Sequence, residues 1–392
     1  MVKKTLLMML SSSFFLLSMV SYTVPAVAAE PDIGPVIVQH LGKLEWPQDE
    51  VTSTPYLTQL LANDINDLHG NLSCELIIST PGNYHMALKD AMFGDPDLLP
   101  EKHVGLLEQE GTPNQFKVSI CWSTSPPVSI DQITAEELQF KNIKMVGRPS
   151  LVMAPGAVMN ELVANGMVDA DTRETFLVNQ GNVILIRNDK AGVIKNVCDL
   201  DGITRVVTPN PYDEPGSFKN FSETIFNVAA QNTLGCDATK LFESIFLQDL
   251  NLIDTSSFNN PYDINGVLSV FGRGTKPQGT GAKWVASSRI MHRDIPYALC
   301  HDEADAGVIF YHQAVYLKKT LASTGCHLEI VPLGGTVENP QPLPGNRVGT
   351  LHIAKVNGTY FKKVNDARDK IYDFLTTDPN WKTILEGHGM RR

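Results

Sequence analysis

Apolar residues in this chain gather into short unbroken runs. A small polar turn closes each run, and a stretch with apolar positions three or four residues apart follows. Residues 74–78 form the first run, closed by Ser79, Thr80, Pro81 and Gly82 and followed by a helical pattern through Tyr84, Met86, Ala87 and Leu88. Residues 118–122 form the second, closed by Ser123, Thr124 and Ser125. The third spans 150–153 and leads through Ala154, Pro155 and Gly156 into a helix carrying Met159, Leu162 and Val163. Apolar runs without alternation are strands covered on both faces. Their alternation with helices predicts a parallel sheet with helices packed on it.

A fourth run at 183–187 opens a second set of such units, with a strand over 203–208, a helix over 218–230 and a strand over 306–311. Phe218, Phe221, Ile225, Val228 and Ala229 share one face of that helix, so the face is predicted to be buried. Residues 328–332 read as the return to the first set, and a closing amphipathic helix carries Val364, Ala367, Ile371, Phe374 and Leu375. Two stretches break the pattern. Residues 30–70, with prolines at 31, 35, 47 and 55, are expected to be irregular, and the Gly-, Asn- and Pro-rich 250–285 to be a long loop. Two sets of units in 392 residues exceed what one core serves, and predict two lobes, 30–184 with 333–392, and 185–332.

The amino terminus changes the picture from fold to address. Lys3 and Lys4 precede a serine-broken apolar stretch, which ends in Pro25, Ala26, Val27, Ala28 and Ala29. Positive start, short greasy core and small residues at the end predict a secretory signal peptide over 1–29, and hence a periplasmic protein. The net charge of -11 argues against nucleic acid and anionic lipid as partners, but not against a small anion held at one local site. Six cysteines in an exported chain suggest disulfides, although six allow fifteen pairings. Cys198 with Cys236, and Cys300 with Cys326, are each about one strand–helix unit apart; Cys74 and Cys121 lie on neighbouring strands. At least one bridge is expected.

Open α/β sheets bind ligands beyond the carboxyl ends of their strands, where turns lead into helix starts. Those turns here are rich in hydroxyls: Ser79 and Thr80, then Ser123, Thr124 and Ser125, then Pro215, Gly216 and Ser217. Hydroxyls and unpaired N–H groups at a helix start are donors that favour a negative guest, though the same residues are ordinary caps. A nucleophilic role for the serines finds no G-x-S-x-G elbow. The sets His292-Arg293-Asp294 and His301-Asp302-Glu303 are expected to be solvated charge clusters.

The order of these motifs resembles the type II periplasmic binding proteins, most closely the molybdate- and tungstate-binding proteins of ABC importers. The similarity runs over residues 153–188, then through Asp199-Leu200-Asp201-Gly202 with Thr208-Pro209-Asn210-Pro211, and the turn Glu214-Pro215-Gly216-Ser217. It continues through Glu303-Ala304-Asp305-Ala306-Gly307-Val308-Ile309-Phe310-Tyr311 to the closing helices. The resemblance implies two doubly wound α/β lobes joined by two crossing strands, with a ligand cleft between them. It implies capture of a small anion such as molybdate or tungstate, delivery to a membrane permease, no catalysis and no cofactor. Its ligand positions fall on Ser79 or Thr80, on Ser123 to Ser125 and on Gly216 or Ser217. The family tyrosine of the last strand falls on Phe310, with Tyr311 one place later. A larger organic solute is the alternative within this class; a hydrolase using Ser123 or Ser79, or a sensor without transport, are alternatives outside it.

Overall fold

The computed structural model describes residues 68–70, 75–93, 118, 120–123, 128–140, 143–202, 205–209, 215–231, 234–246, 284–286, 291–322 and 325–392. The expected leader at 1–29, Cys74, Thr124, Ser125, Glu214 and nearly all of 30–70 and 250–285 lie outside these residues, and so does the Cys74–Cys121 pair.

Two mixed sheets carry the fold. The first has the order β1(Leu68–Gly70), β3(Ile120–Ser123), β2(Leu76–Ser79), β6(Leu151–Pro155), β13(Thr350–Lys355), β7(Glu174–Val178). The second has the order β10(Trp284–Ala286), β9(Val206–Thr208), β11(Ala306–Phe310), β8(Asn182–Arg187), β12(Leu328–Pro332). With the short edge strand β1 set aside, the two follow one plan. Three strands run parallel, a fourth runs antiparallel to them, and a fifth pairs with the fourth. The antiparallel strand always enters from the other sheet: β7 leads across into β8, and β12 leads back into β13. This is the two-lobed α/β architecture the resemblance implied. The purely parallel sheet expected from the run pattern is corrected, because each chain crossing inserts a strand of opposite direction.

Burial explains why these segments are strands. In β2, Leu76 and Ile78 pack into one core and Ile77 into another; in β6, Leu151 and Met153 part in the same way from Val152 and Ala154. Successive side chains point to opposite faces, so a sheet covered on both sides needs apolar residues at every position. The second sheet has its own core, built from β8, β9, β11 and the helices α4(Pro215–Ala230), α6(Met291–Cys300) and α7(Tyr311–Ala322). Met86, from the helix α1(His85–Phe93) beside the first sheet, packs into that second core. The two sheets therefore meet where α1 begins.

The closing pair, α8(Lys362–Thr377) and α9(Pro379–Gly387), covers the first sheet with Val364, Ala367, Ile371, Phe374 and Leu375, all buried as the spacing predicts. Asp378 caps α9 by accepting from the Asn380 N–H at 2.8 Å, and Pro379 occupies the first helical position, where no N–H is needed. This aims Trp381 into the sheet, where its indole N–H donates to the Phe176 carbonyl at 3.0 Å.

Disulfides join Cys198 to Cys236 and Cys300 to Cys326, with Cα separations of 5.6 and 5.4 Å. Both fit a protein of an oxidising compartment. His301, Asp302 and Glu303 are exposed as expected, but His292 and Asp294 are buried in α6. The mixed charged triplet reads as a solvated cluster, yet its first and third members, on opposite sides of the helix, are both buried because α6 is covered on more than one side. Among the described residues no helix is long and apolar enough to cross a membrane. No cluster there could hold a metal ion.

Candidate functional site

Two neighbouring parallel strands of the first sheet, β2 and β3, end at hydroxyl residues singled out above. In the first sheet Ser79 stands opposite Ser123 in the β2–β3 register, so two of the named turns begin side by side. Ser79 and Thr80 are fully buried. The Ser79 hydroxyl accepts the Val128 N–H at 3.1 Å, and the Thr80 hydroxyl donates to the Pro81 carbonyl at 3.4 Å. Among the described residues no histidine or carboxylate is hydrogen-bonded to Ser79. In the second sheet β9 ends at Thr208, whose hydroxyl donates to the Pro209 carbonyl at 3.0 Å. Gly216 and Ser217 lie in the first turn of α4, and no atom of the described residues comes within 4 Å of a Cβ added at Gly216.

Phe310 closes β11 and Tyr311 opens α7, so the adjacent positions go separate ways. The Phe310 ring meets Phe221 of α4 edge-on at 5.0 Å and lies 6.3 Å from Tyr84, which belongs to the turn after β2. The strand ends of the two sheets thus touch through aromatic rings. The Tyr311 hydroxyl donates to the Val337 carbonyl, its N–H donates to the Gly181 carbonyl at 3.0 Å, and its ring lies against Gly389.

His312 completes the seam. Its ring stacks on Tyr84 at 4.8 Å, and its Nε2 donates to the Asn83 carbonyl at 2.8 Å, a bond from the second sheet's α7 to the first sheet's turn. Burial pushes its pKa down to about 3, with the bond to Asn83 opposing and the neighbouring His388 adding to the fall. The imidazole is therefore neutral, with Nδ1 buried and, among the described residues, unpaired. Burial also raises the Tyr84 phenol to about 12, partly countered by its bond with Asn179. Next to this seam, His388 bonds Asp90 at the end of the closing helices, both buried.

Beside these strand ends lie the two crossings, at 179–181 and 333–349, and two asparagines bind them together. The Asn179 carbonyl oxygen accepts from Gly181 N–H at 3.0 Å and from Gly349 N–H at 2.8 Å, one residue from each crossing. The Asn346 side chain pairs with both backbone groups of Asn182, accepting at 2.8 Å and donating at 2.9 Å, as a neighbouring strand would. Asn182 also donates to Thr224 of α4 at 2.8 Å, and Arg347 pairs with Glu223 of the same helix. Two positions here require glycine. Gly181 has φ +80° and faces the Asn346 side chain; Gly345 has φ +90° and lies on the Asn227 backbone. The carboxy-terminal turn braces the first crossing through the Val178–Arg391 bridge and a Gln180 to Gly389 bond of 2.8 Å.

The structure thus brings Ser79 and Thr80 together with Ser123, and Phe310 together with α4, the helix of Gly216 and Ser217. Tyr84, Asn179, Asn182, His312 and Asn346 were not read from sequence as site residues. The polar Asn179-Gln180-Gly181-Asn182 between two apolar runs was the available signal.

No protein-family model matches the chain, and no curated protein does. Solved structures do align with it. One is the substrate binding domain of a putative molybdenum ABC transporter from Clostridium difficile, at 12% identity and TM-score 0.44 over 82% of this chain and 99% of that one. Another is the periplasmic molybdate-binding protein of Azotobacter vinelandii, at 13% and 0.43 over 81% of this chain and 99% of that one. A third is the sulfate-binding protein SubI of Mycobacterium tuberculosis, at 14% and 0.42 over 80% of this chain and 85% of that one. At such identities and TM-scores nothing those proteins bind transfers to this chain on the strength of the likeness.

Proposed function

We propose that this protein is an exported solute-binding protein of an ABC-type importer, which closes two lobes over a small anion and delivers it to a membrane permease. Residues 1–29 are then the leader removed on export, and the lobes are 30–184 with 333–392, and 185–332, with Asn182 to Ile184 pairing in the sheet of the second. The observation that carries this reading is the union of a double crossing with two sets of strand ends that touch through Tyr84, Phe310 and His312. Two bodies joined by two short crossings beside their binding edges can close by hinge motion, and a solute between them favours the closed state.

The donors proposed are neutral. The hydroxyls of Ser79, Ser123, Thr124 and Ser125 serve from one lobe, with Thr80 joining them once its hydroxyl leaves the Pro81 carbonyl, and Gly216 and Ser217 at the start of α4 from the other, with Phe310 and Tyr311 as the adjoining wall. Oriented neutral donors and a helix start replace the water around an anion without burying a countercharge. Phe310, a half-buried ring without a hydroxyl set against Phe221, supports a second reading in which the anion carries an organic part.

The test is a thermal-shift screen of the mature protein with molybdate, tungstate, sulfate, phosphate and small organic acids. Binding to the folded state alone stabilises it by RT ln(1 + [L]/Kd), so a true solute raises the melting temperature at micromolar concentration. Molybdate or tungstate is expected to do so, with sulfate and phosphate weaker. A shift by an organic acid alone moves the assignment to the second reading. No shift from any anion sinks the anion reading.

A further inference from the structure

The turn that follows β2 runs from Ser79 to Tyr84, and Tyr84 touches each part that a hinge has to coordinate. Its phenol oxygen accepts a hydrogen bond of 3.1 Å from the Asn179 side-chain amide. The other end of that carboxamide accepts Gly181 N–H from the first crossing and Gly349 N–H from the second. Its ring stacks on His312 of the second sheet, and its neighbour Asn83 takes the His312 N–H. Both Tyr84 and Asn179 are almost wholly buried, at 3% and 2% exposure, so solvent is not there to substitute for a lost partner.

A carboxamide has a donor end and an acceptor end of nearly equal size, so its shape alone leaves two orientations. Two N–H groups converge on one end of Asn179, and only the carbonyl oxygen satisfies them. The phenol of Tyr84 faces the amino end and holds it there. The neighbours admit little slack, because a Cβ on Gly349 would lie 2.7 Å from the Asn179 amide nitrogen. We propose that Tyr84 is the positioning residue of the hinge: its hydroxyl fixes the Asn179 carboxamide and, through it, the spacing of both crossings. The turn that begins with Ser79 and Thr80 thereby sets the angle at which the two lobes meet. This deepens the solute-binding reading and rests on it only for the solute's part.

The experiment compares Tyr84→Phe with Tyr372→Phe in the full mature protein by native-state amide hydrogen exchange. Tyr84→Phe keeps the ring on His312 and removes only the hydroxyl. Tyr372→Phe removes a comparable bond, from the Tyr372 hydroxyl to the Thr172 carbonyl at 2.8 Å, which joins no residue of either crossing or of the second sheet. Exchange at Gly181 and Gly349 is expected to speed up together by about five- to tenfold in Tyr84→Phe, the weight of one net hydrogen bond, and not in Tyr372→Phe. Unchanged exchange at both amides in Tyr84→Phe overturns the proposal, and so does equal acceleration in Tyr372→Phe. A second arm adds tungstate and follows the radius of gyration by small-angle scattering. Contraction of the unsubstituted protein at a tungstate concentration about tenfold lower than Tyr84→Phe requires supports the coupling. Contraction of both at the same concentration overturns it. If tungstate contracts neither protein, the oxyanion reading falls, and the exchange result still decides the role of Tyr84.

Discussion

The two sheets share a strand order, but among the described residues they are secured by different means. The second is stapled covalently. Its two described disulfides lie before β9, before the helix at Ala238–Phe246, on the last residue of α6 and before β12, so they cluster at the amino-terminal rim of the parallel strands. Arg187 adds ion pairs with Asp189 and Asp302 at that rim, and the bond to Arg187 holds the Asp189 carboxyl below its usual range. Such exposed pairs contribute little to stability. Among the described residues the first sheet is held by late-coming helices that drive Trp381 against Phe176, their rings 6.1 Å apart. The difference shows how a binding edge stays adjustable. In the second sheet the described covalent links sit on the rim away from Thr208 and Phe310, and stacked rings, carboxamides and the Arg347–Glu223 pair hold the rim that meets its partner.

Three measurements break or sharpen this contrast. The largest effect is expected from removing both bridges, as Cys198→Ala with Cys236→Ala and Cys300→Ala with Cys326→Ala. Loops of 38 and 26 residues make each worth about 3–4 kcal/mol by the chain-entropy account. Exchange protection should fall across β8, β9 and β11 while β2 and β6 hold theirs. Equal loss in both sheets would mean that they unfold as one unit and that the contrast has no energetic content.

Trp381→Ala is the mirror experiment. Removing a fully buried indole and orphaning the Phe176 carbonyl should cost about 3–5 kcal/mol in denaturant unfolding. The loss should fall on the first sheet, leaving β8 and β11 protected. Protection lost first in the second sheet would contradict the division of roles.

The smallest effect concerns the seam between the sheets. His312 has its pKa pushed down to about 3 in the folded protein against an ordinary value of 6.5. A depressed folded-state value means the unfolded chain binds the extra proton. The stability is therefore complete above pH 6.5 and is lost as pH falls from there toward 3. The charged and titratable neighbours at the seam are His388, Asp90 and the Tyr84 phenol. His312→Gln removes the titration, so stability should fall less steeply between pH 6 and 4, by about 1.4 kcal/mol per pH unit. Parallel slopes in the two proteins would place the seam's proton elsewhere.

Much of this contrast was legible in the amino-acid sequence, and the remainder has a physical reason for being hidden. Leu76, Ile77 and Ile78 announce a strand buried on both faces, and Val364 to Leu375 a one-sided helix, because burial leaves a local periodicity. Strand β13 left little trace. Thr350, His352 and Lys355 dilute its apolar positions, and its partners β6 and β7 lie some 170–200 residues earlier in the chain. Strand β10 holds only Trp284, Val285 and Ala286 at the end of a Gly-rich stretch, which reads as loop throughout. Hydroxyl turns are visible because helix starts select them. Asn179 and Asn346 read as ordinary turn residues, since what makes them structural is a partner on the other crossing. His292 and Asp294 read as solvated because charge pattern carries no record of a helix that neighbours cover on more than one side.

The strand order also has a consequence for the timing of assembly during synthesis. The second sheet is drawn from one continuous stretch, β8 through β12, so every strand it needs has been made by Pro332. The first sheet begins earlier yet finishes later. Its fourth strand is Thr350–Lys355, and the tryptophan that locks it arrives at position 381. As a chain emerges from amino to carboxyl end, the portion started first waits with a gap between β6 and β7 until the portion started second is complete.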